Sequence, residues 1–144
     1  MKQHTLHKSE RLKSRKTISR LFANEGKSLV SYPFKIVWLQ IQVPDAPDYP
    51  AQVAVSVPSR NFPKATDRNL LKRRIKEAYR LQKSVLYNHI PPTQPNEPST
   101  LLAIMFIYLG KEKIPYEVIE QKVGVCLMQL VKRISVTPTK ADVE

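Results

Sequence analysis

The segment from residue 68 to residue 80 constrains this chain more than any other, because it combines an apolar stripe with a dense cationic face. On an ideal helix one side is mainly apolar: Leu71, Ile75 and Ala78 fall there with Gln82, and Val85 and Leu86 continue the same arc. The opposite side is polar or cationic, with Asn69, Lys72, Arg73, Lys76, Arg80 and Lys83. A solvated face usually alternates acids with bases, but only Asp67 and Glu77 are acidic here. The pattern predicts a helix that packs on a core by one side and meets a polyanion with the other.

The positive charge of the whole chain supports a polyanionic partner. The net charge is +12 over 144 residues, and residues 1–27 and 60–83 hold seventeen of the 24 Lys and Arg. Such a concentrated positive field attracts nucleic acid through phosphate contacts and counterion release. An anionic membrane surface is the rival partner, but the longest apolar run, 101–109, is too short to span a bilayer as a helix.

The hydrophobic patterns predict one domain over residues 9–134, between a basic flexible tail at 1–8 and a flexible tail at 135–144. Ser9 is expected to cap a first helix that reaches about Asn24. Residues 34–43 and 52–57 read as strands, with Val53, Val55 and Val57 on one face and a hairpin loop at 44–50.

The second half of the chain continues with helix, strand and helix. Thr66 or Asp67 is expected to cap the basic helix, which ends near Asn88 before a proline-rich loop at 91–98. Residues 100–109 are apolar at nearly every position, which predicts a central strand buried on both faces. Pro115 suits the first turn of a last helix, whose apolar side comprises Ile119, Val123, Leu127, Leu130 and Val131.

No self-sufficient active site is visible in the sequence. Cys126, the one cysteine, allows no intrachain disulfide and is expected to be a buried core residue in a cytoplasmic protein. The histidines at 4, 7 and 89 lack accompanying ligands for a metal, and the three glycines are isolated. We therefore expect no catalytic residue, metal site or cofactor on the protein itself.

Three stretches resemble the protein subunit of bacterial ribonuclease P. Residues 11–13, Ile18, Leu21, Phe22 and 26–28 look like the family's first helix and its exit. Residues 53–57 look like its strand before the basic motif, and Arg68, Asn69, Lys72, Arg73 and Lys76 look like its arginine-rich helix. The resemblance covers about residues 9–134. It implies an α+β fold, a sandwich-like αβββαβα domain with a small mixed sheet and a left-handed βαβ crossover.

The resemblance also implies a division of labour. In that family a large RNA is the catalytic component and holds Mg²⁺, and the ribonucleoprotein removes the 5′ leader of precursor tRNA by endonucleolytic cleavage. The expected partners are this RNA and the leader, without a membrane or a protein homo-oligomer. Charge and resemblance together give the expected RNA-binding residues as Arg11, Lys13, Arg60, Lys64, Arg68, Asn69, Lys72, Arg73, Arg74, Lys76 and Arg80.

The basic motif departs from the family pattern at one position. The third residue of the family signature is arginine, whereas this chain has Leu70 there. Arg74 lies one helical turn later on the same side, so it either replaces that arginine or lies at the margin of the core with its head in water. The sequence leaves both alternatives open.

The leader cleft departs as well. The family lines this cleft with aromatic residues, and the matching positions here are Ile18, Phe22 and Val37, of which only Phe22 is aromatic. On a regular strand Phe34 and Trp38 point away from Val37, which makes core packing their default role.

The alternatives to a ribonuclease P subunit are a ribosomal or other structural RNA-binding protein, and a DNA-binding protein that uses the basic helix.

Overall fold

The chain folds as a four-stranded mixed sheet with helices on both faces. The structure, a computed structural model, describes residues 6–23, 26–44, 47–90 and 98–143, with side chains described as far as Ile134. The elements in chain order are α1 (Arg15–Phe22), β1 (Lys27–Ser31), β2 (Phe34–Val43), β3 (Ala51–Ser56), α2 (Ala65–Tyr87), β4 (Ser99–Tyr108) and α3 (Tyr116–Val143). This confirms the α+β fold and the αβββαβα order.

Strand β4 is the centre of the sheet, as its continuous apolar sequence predicts. The strand order is β1-β2-β4-β3, with β4 antiparallel to β2 and parallel to β3. All residues from Leu101 to Phe106 are buried. The hairpin predicted at 44–50 is wrong, because β4 lies between β2 and β3 and the two strands do not pair. Residues 45 and 46 of that connection lie outside the described part of the chain.

The two faces of the sheet carry different layers. Helices α2 and α3 cover one face, where Phe34, Trp38 and Phe106 are buried with Tyr79 of α2. The short helix α1 covers part of the other face through Leu21, which packs with Val37 and Met105 among others. Apolar residues of period two on the strands and of period three to four on the helices produce this three-layer arrangement.

The first helix begins later than the sequence suggested. Helix α1 starts at Arg15, and its N-cap is Ser14, whose side chain accepts a hydrogen bond from the backbone N–H of Thr17 at 3.2 Å. The assignment of this cap to Ser9 is wrong, because Leu12 donates its backbone N–H to the Val53 carbonyl at 2.9 Å. Residues 11–13 are therefore held beside β3 and are not available to a helix.

Two other helix starts differ in detail. The N-cap of α2 is Lys64, which makes no side-chain cap hydrogen bond, so the capping roles predicted for Thr66 and Asp67 are wrong. Pro115 lies directly before α3 rather than in its first turn, and its carbonyl accepts from the backbone N–H groups of Val118 and Ile119 at 3.1 Å each. The predicted apolar side of α3 is confirmed, since it packs in the main core.

Several predicted segments fall partly outside the described residues. Residues 91–97 of the proline-rich loop and residues 1–5 and 144 of the two tails are among them. The backbone is helical as far as Val143. The division into one domain and two flexible tails stays a prediction.

Candidate nucleic-acid interface

The basic residues at the start and middle of α2 turn away from the core because the apolar stripe fixes the rotation of the helix. Leu71, Ile75 and Ala78 are fully buried, as the sequence predicted. Three residues on the other side, Asn69, Arg73 and Lys76, are exposed, and Lys72 is half-buried. We call Asn69, Lys72, Arg73 and Lys76 the basic face.

The N-terminal segment adds Arg11 to the basic face. Arg11 forms a parallel β-bridge with Val53, and its side chain is exposed, as is that of Lys13. Although the Lys76 side chain is exposed, neighbouring protein atoms partly desolvate its amine and lower its pKa, and the positive charges of Arg11 and Lys72 lower it further. Arg11 and Lys72 therefore each bring a positive charge close to Lys76, which concentrates the positive potential that attracts a polyanion.

A loop before α2 carries two more of the expected RNA-binding residues. Arg60 and Lys64 are exposed there. Arg68 is half-buried, and its Nη1 donates to the carbonyls of Phe62 at 2.9 Å and Pro63 at 2.8 Å. The guanidinium of Arg68 thus fixes the path of the loop from within the first turn of α2, which places Arg60 and Lys64 beside the start of the basic face.

The far end of α2 does not extend the basic face. Arg80 pairs with Glu77, with Nη2 to Oε2 at 2.6 Å, and the hydrogen bond from Arg80 lowers the pKa of Glu77. Lys83 is only 4% exposed, and its Nζ contacts the Glu10 carboxylate at 2.7 Å. The placement of Lys83 among the exposed cations is wrong, because a helical wheel carries no information on Glu10, which is 73 residues away.

Arg74 makes a contact within the protein. Its Nη1 donates to the carbonyl oxygen of Ile114, in the turn before α3, at 2.7 Å, and the residue is half-buried. This contact turns at least one end of the guanidinium toward α3 rather than toward the basic face. Of the two sequence alternatives, the geometry favours a place at the core margin.

Two of the predicted leader-cleft residues pack together between α1 and the sheet, since the half-buried Ile18 lies against the buried Val37. Phe22 follows Ile18 by one helical turn, at the end of α1, and is 57% exposed. Phe34 and Trp38 are buried on the opposite face of the sheet, which confirms their core packing. Phe22 is therefore the aromatic side chain that α1 itself offers at the surface of this cleft.

Sequence reasoning missed Lys35, which lies on the same face of the sheet as Val37. Lys35 lies two residues before Val37 on β2, so it points to the same face. It pairs in register with Val30 of β1 and Ile107 of β4, and Val30 is 62% exposed. The alternation of side chains along β2 was the signal that could have identified Lys35. Lys35 adds a cation to a face of the sheet that is otherwise apolar around Val37.

The described residues show no grouping suited to metal-dependent or nucleophilic chemistry. Among them, no three His, Cys, Asp or Glu side chains cluster in a way that could hold a metal ion. Glu10, Glu77 and Asp67 each face a cation, the last through Lys113 at 3.0 Å. Cys126 is fully buried, as predicted, and burial raises the pKa of its thiol to about 11. A thiol of this kind is a poor nucleophile.

Comparison with known proteins agrees with the geometry. A sequence model of the ribonuclease P family matches residues 6–129. The chain belongs to the ribonuclease P protein family. The ribonuclease P protein component of Porphyromonas gingivalis is 30% identical over 137 residues, which cover 95% of this chain and 94% of that protein. The component of Chlorobium phaeobacteroides is 31% identical over 124 residues, which cover 84% of each chain.

Solved structures of ribonuclease P proteins share the fold. The protein from Thermotoga maritima has 28% identity and a TM-score of 0.58, over 86% of this chain and 96% of that one. The Staphylococcus aureus protein, at 18% identity, has a TM-score of 0.55 over 89% and 93% of the two chains and supports the fold alone. Within the described residues, no helix is both long and apolar enough to cross a membrane.

Proposed function

We propose that this ribonuclease P protein binds the catalytic RNA through the basic face and holds the 5′ leader of precursor tRNA in the cleft beside α1. Membership of the family implies a role in tRNA processing and partnership with ribonuclease P RNA. The observation that carries the residue assignment is the basic face itself, which lies on the side of α2 opposite the buried Leu71, Ile75 and Ala78. The positive charges of Arg11 and Lys72 act on Lys76 there and lower its pKa, after the effect of desolvation, so the cations repel one another at Lys76. Phosphates relieve that repulsion on binding.

The cleft suits a single strand better than a duplex. Phe22 offers an exposed ring for base stacking, which is worth about 1–3 kcal/mol per base. Lys35 supplies a cation on the floor of the same cleft. An apolar floor, one aromatic ring and one cation match the bases and phosphates of an unpaired leader, whereas the basic face offers mainly phosphate contacts.

In this proposal the chemistry takes place on the RNA. Metal-ion catalysis of this kind would come from Mg²⁺ held by the RNA, and none of it is assigned to residues of the protein. The residues of the protein bind, orient and neutralise phosphates. The carboxylates of Glu10, Asp67 and Glu77 each pair with a cation of the protein. Its single cysteine suits the reducing cytoplasm.

A reconstitution tests the proposal directly. The protein is added to a bacterial ribonuclease P RNA, and cleavage of precursor tRNA is measured at low Mg²⁺. We expect cleavage at the mature 5′ end only when the RNA is present, and a faster rate when the protein is also present. Cleavage by RNA-free protein after removal of contaminating nucleases, or no effect of the protein on the RNA, would contradict the proposal.

A matched pair of variants separates the basic face from total charge. Lys76→Ala removes one cation from the basic face, and Lys132→Ala removes one from the exposed surface of α3. We expect Lys76→Ala to weaken RNA binding and protein-stimulated cleavage, and Lys132→Ala to leave both close to wild type. Equal effects of the two variants would show that net charge, rather than the basic face, attracts the RNA.

A further inference from the structure

A buried ion pair ties the N-terminal segment to the far half of α2. The Glu10 carboxylate is fully buried and accepts hydrogen bonds from the backbone N–H of His7 at 2.9 Å and from Tyr87 Oη at 2.6 Å. Lys83 Nζ donates to both carboxylate oxygens, at 2.7 and 2.9 Å. We call Glu10, Lys83 and Tyr87 the N-terminal clasp.

Aromatic rings enclose the clasp. Lys83 Nζ lies 5.7 Å from the centre of the Tyr49 ring and 5.6 Å from that of Tyr87. The ring of His7 stacks on Tyr49, with centroids 5.1 Å apart. The loop between β2 and β3, the N-terminal segment and α2 therefore meet at this one charged pair.

The clasp does more than neutralise two buried charges. A buried ion pair often stabilises a fold no better than a well-packed apolar pair of the same size. Here it holds residues 8–13 in place, together with two hydrogen bonds to backbone carbonyl groups. Gln52 Nε2 donates to the Ser9 carbonyl at 3.0 Å, and Leu12 donates its N–H to the Val53 carbonyl at 2.9 Å.

This placement, together with the parallel β-bridge between Arg11 and Val53, holds the charge of Arg11 where it acts on Lys76. Arg11 immediately follows Glu10, and its charge contributes to the lowered pKa of Lys76, after burial. Like charges repel, so a free N-terminal segment would move Arg11 away from Lys72 and Lys76. The clasp holds the cation against that repulsion until a polyanion is bound.

We propose that Glu10 and Lys83 are positioning residues that hold Arg11 in the RNA-binding surface. The inference rests on the proposed function of the basic face. Lys83 supports RNA binding through Arg11 and does not itself contact the RNA. The negative charge of Glu10 would repel RNA, but Glu10 supports binding because it holds Arg11 in place.

The test is a double-mutant cycle read by the salt dependence of RNA affinity. One background is wild type, and the other carries Glu10→Ala with Lys83→Met, which removes the clasp without leaving a buried charge. Arg11→Ala is introduced into both. In the wild-type background we expect it to flatten the slope of log affinity against log salt by about 0.7–0.9. That change reduces the affinity loss between about 50 and about 200 mM salt by about threefold.

In the background without the clasp, we expect the slope to be flattened already and Arg11→Ala to have no further effect. Hydrogen exchange at the Leu12 amide reports the release of the segment, because this amide bonds to Val53 across the N-terminal contact. If the double variant does not fold, Glu10→Gln with Lys83→Gln provides the same comparison, since it removes both buried charges and leaves amide groups that can bond to each other.

The outcomes separate this inference from the proposed function. An equal effect of Arg11→Ala in both backgrounds, or no effect in the wild-type background, overturns the positioning role while the basic face can still bind RNA. If the affinity of the wild-type protein for RNA depends neither on salt nor on Lys76, the proposed function and the inference are both overturned. Lys76→Ala serves as this separate control because Lys76 lies on the exposed basic face, whereas Glu10 and Lys83 of the clasp are buried.

Discussion

Arg73 and Arg74 are adjacent in the sequence, but the structure predicts opposite consequences when each is replaced by leucine. Arg73 is exposed on the basic face, whereas Arg74 is half-buried and donates to the Ile114 carbonyl at 2.7 Å. Both variants remove the same charge and introduce the same side chain. The pair therefore separates phosphate binding from support of the fold.

The structure sets the size of the two effects. A hydrogen bond from a charged donor contributes about 1.5–3 kcal/mol, and partial exposure of Arg74 places its contribution toward the lower end. We expect Arg74→Leu to lower the free energy of unfolding by about 1.5–2 kcal/mol and Tm by about 5–7 °C. Arg73→Leu should change stability by less than about 0.5 kcal/mol, because it makes an ordinary surface substitution.

RNA affinity should show the reverse order. Arg73→Leu is expected to flatten the slope of log affinity against log salt by about 0.7–0.9, the value of one lost phosphate contact. Arg74→Leu should leave the slope close to wild type at a temperature where the variant is folded. Urea unfolding and RNA titrations at several salt concentrations measure both quantities. A full lost contact in Arg74→Leu with unchanged stability would refute the core-margin role and restore Arg74 as the replacement for the arginine absent at Leu70.

Three further predictions concern other parts of the molecule. Phe22→Ala should weaken binding of leader-bearing precursor by about 1–3 kcal/mol relative to mature tRNA in the reconstituted complex. Glu10 has a pKa below its ordinary value, because hydrogen bonds from His7, Lys83 and Tyr87 together outweigh the opposing effect of burial. The ionised Glu10 carboxylate therefore stabilises the fold above about pH 4.5, and this stabilisation is lost as the pH falls through the lower pKa of the folded state. The urea midpoint of Glu10→Gln should vary less with pH in the acid range than the midpoint of wild type. Gly124→Ala should leave the free energy of unfolding nearly unchanged, because a gain in helix propensity of about 1 kcal/mol offsets the cost of displacing the Gln82 side chain. In a Gln82→Ala background that cost is absent, so Gly124→Ala should stabilise the fold.

Each of these three has a contradicting result. Equal affinity losses for precursor and mature tRNA would assign Phe22 to packing alone. Parallel acid-unfolding curves for wild type and Glu10→Gln would remove Glu10 as the titrating group. The Gly124 prediction depends on a Cβ at that position lying 2.6 Å from Gln82 Oε1, whose amide nitrogen bonds to the Glu120 carbonyl at 2.9 Å. Additive effects of the two substitutions would show that this contact does not couple α2 to α3.

The elements with strong local periodicity were predictable from the sequence. The apolar run at 101–109 predicted the central strand, and the stripe through Leu71, Ile75 and Ala78 predicted which side of α2 is buried. Both follow from the repeat of side-chain direction within one element. Local patterns also predicted the order helix, two or three strands, helix, strand, helix, and the family resemblance added the definite count of three strands before α2. The basic face follows from the buried side because it lies opposite.

The errors concern contacts between residues far apart in the chain. Ser9 and Ser14 are equally suitable caps by residue type, and the bond from Leu12 to Val53 decides between them. Lys83 follows the cationic pattern of the helix, but it is buried because it forms an ion pair with the buried Glu10 carboxylate. The pairing of β4 between β2 and β3 likewise depends on the whole sheet, so local patterns at 44–50 could not exclude a hairpin.

The salt dependence of affinity for ribonuclease P RNA tests the central claim most directly. The comparison is between the wild-type protein and a variant with alanine at Arg11, Lys72, Arg73 and Lys76. We expect the wild-type slope to be steeper by about 3, close to the sum of four phosphate contacts. An unchanged slope in a variant that unfolds at the wild-type urea concentration would contradict the claim that this surface binds the RNA.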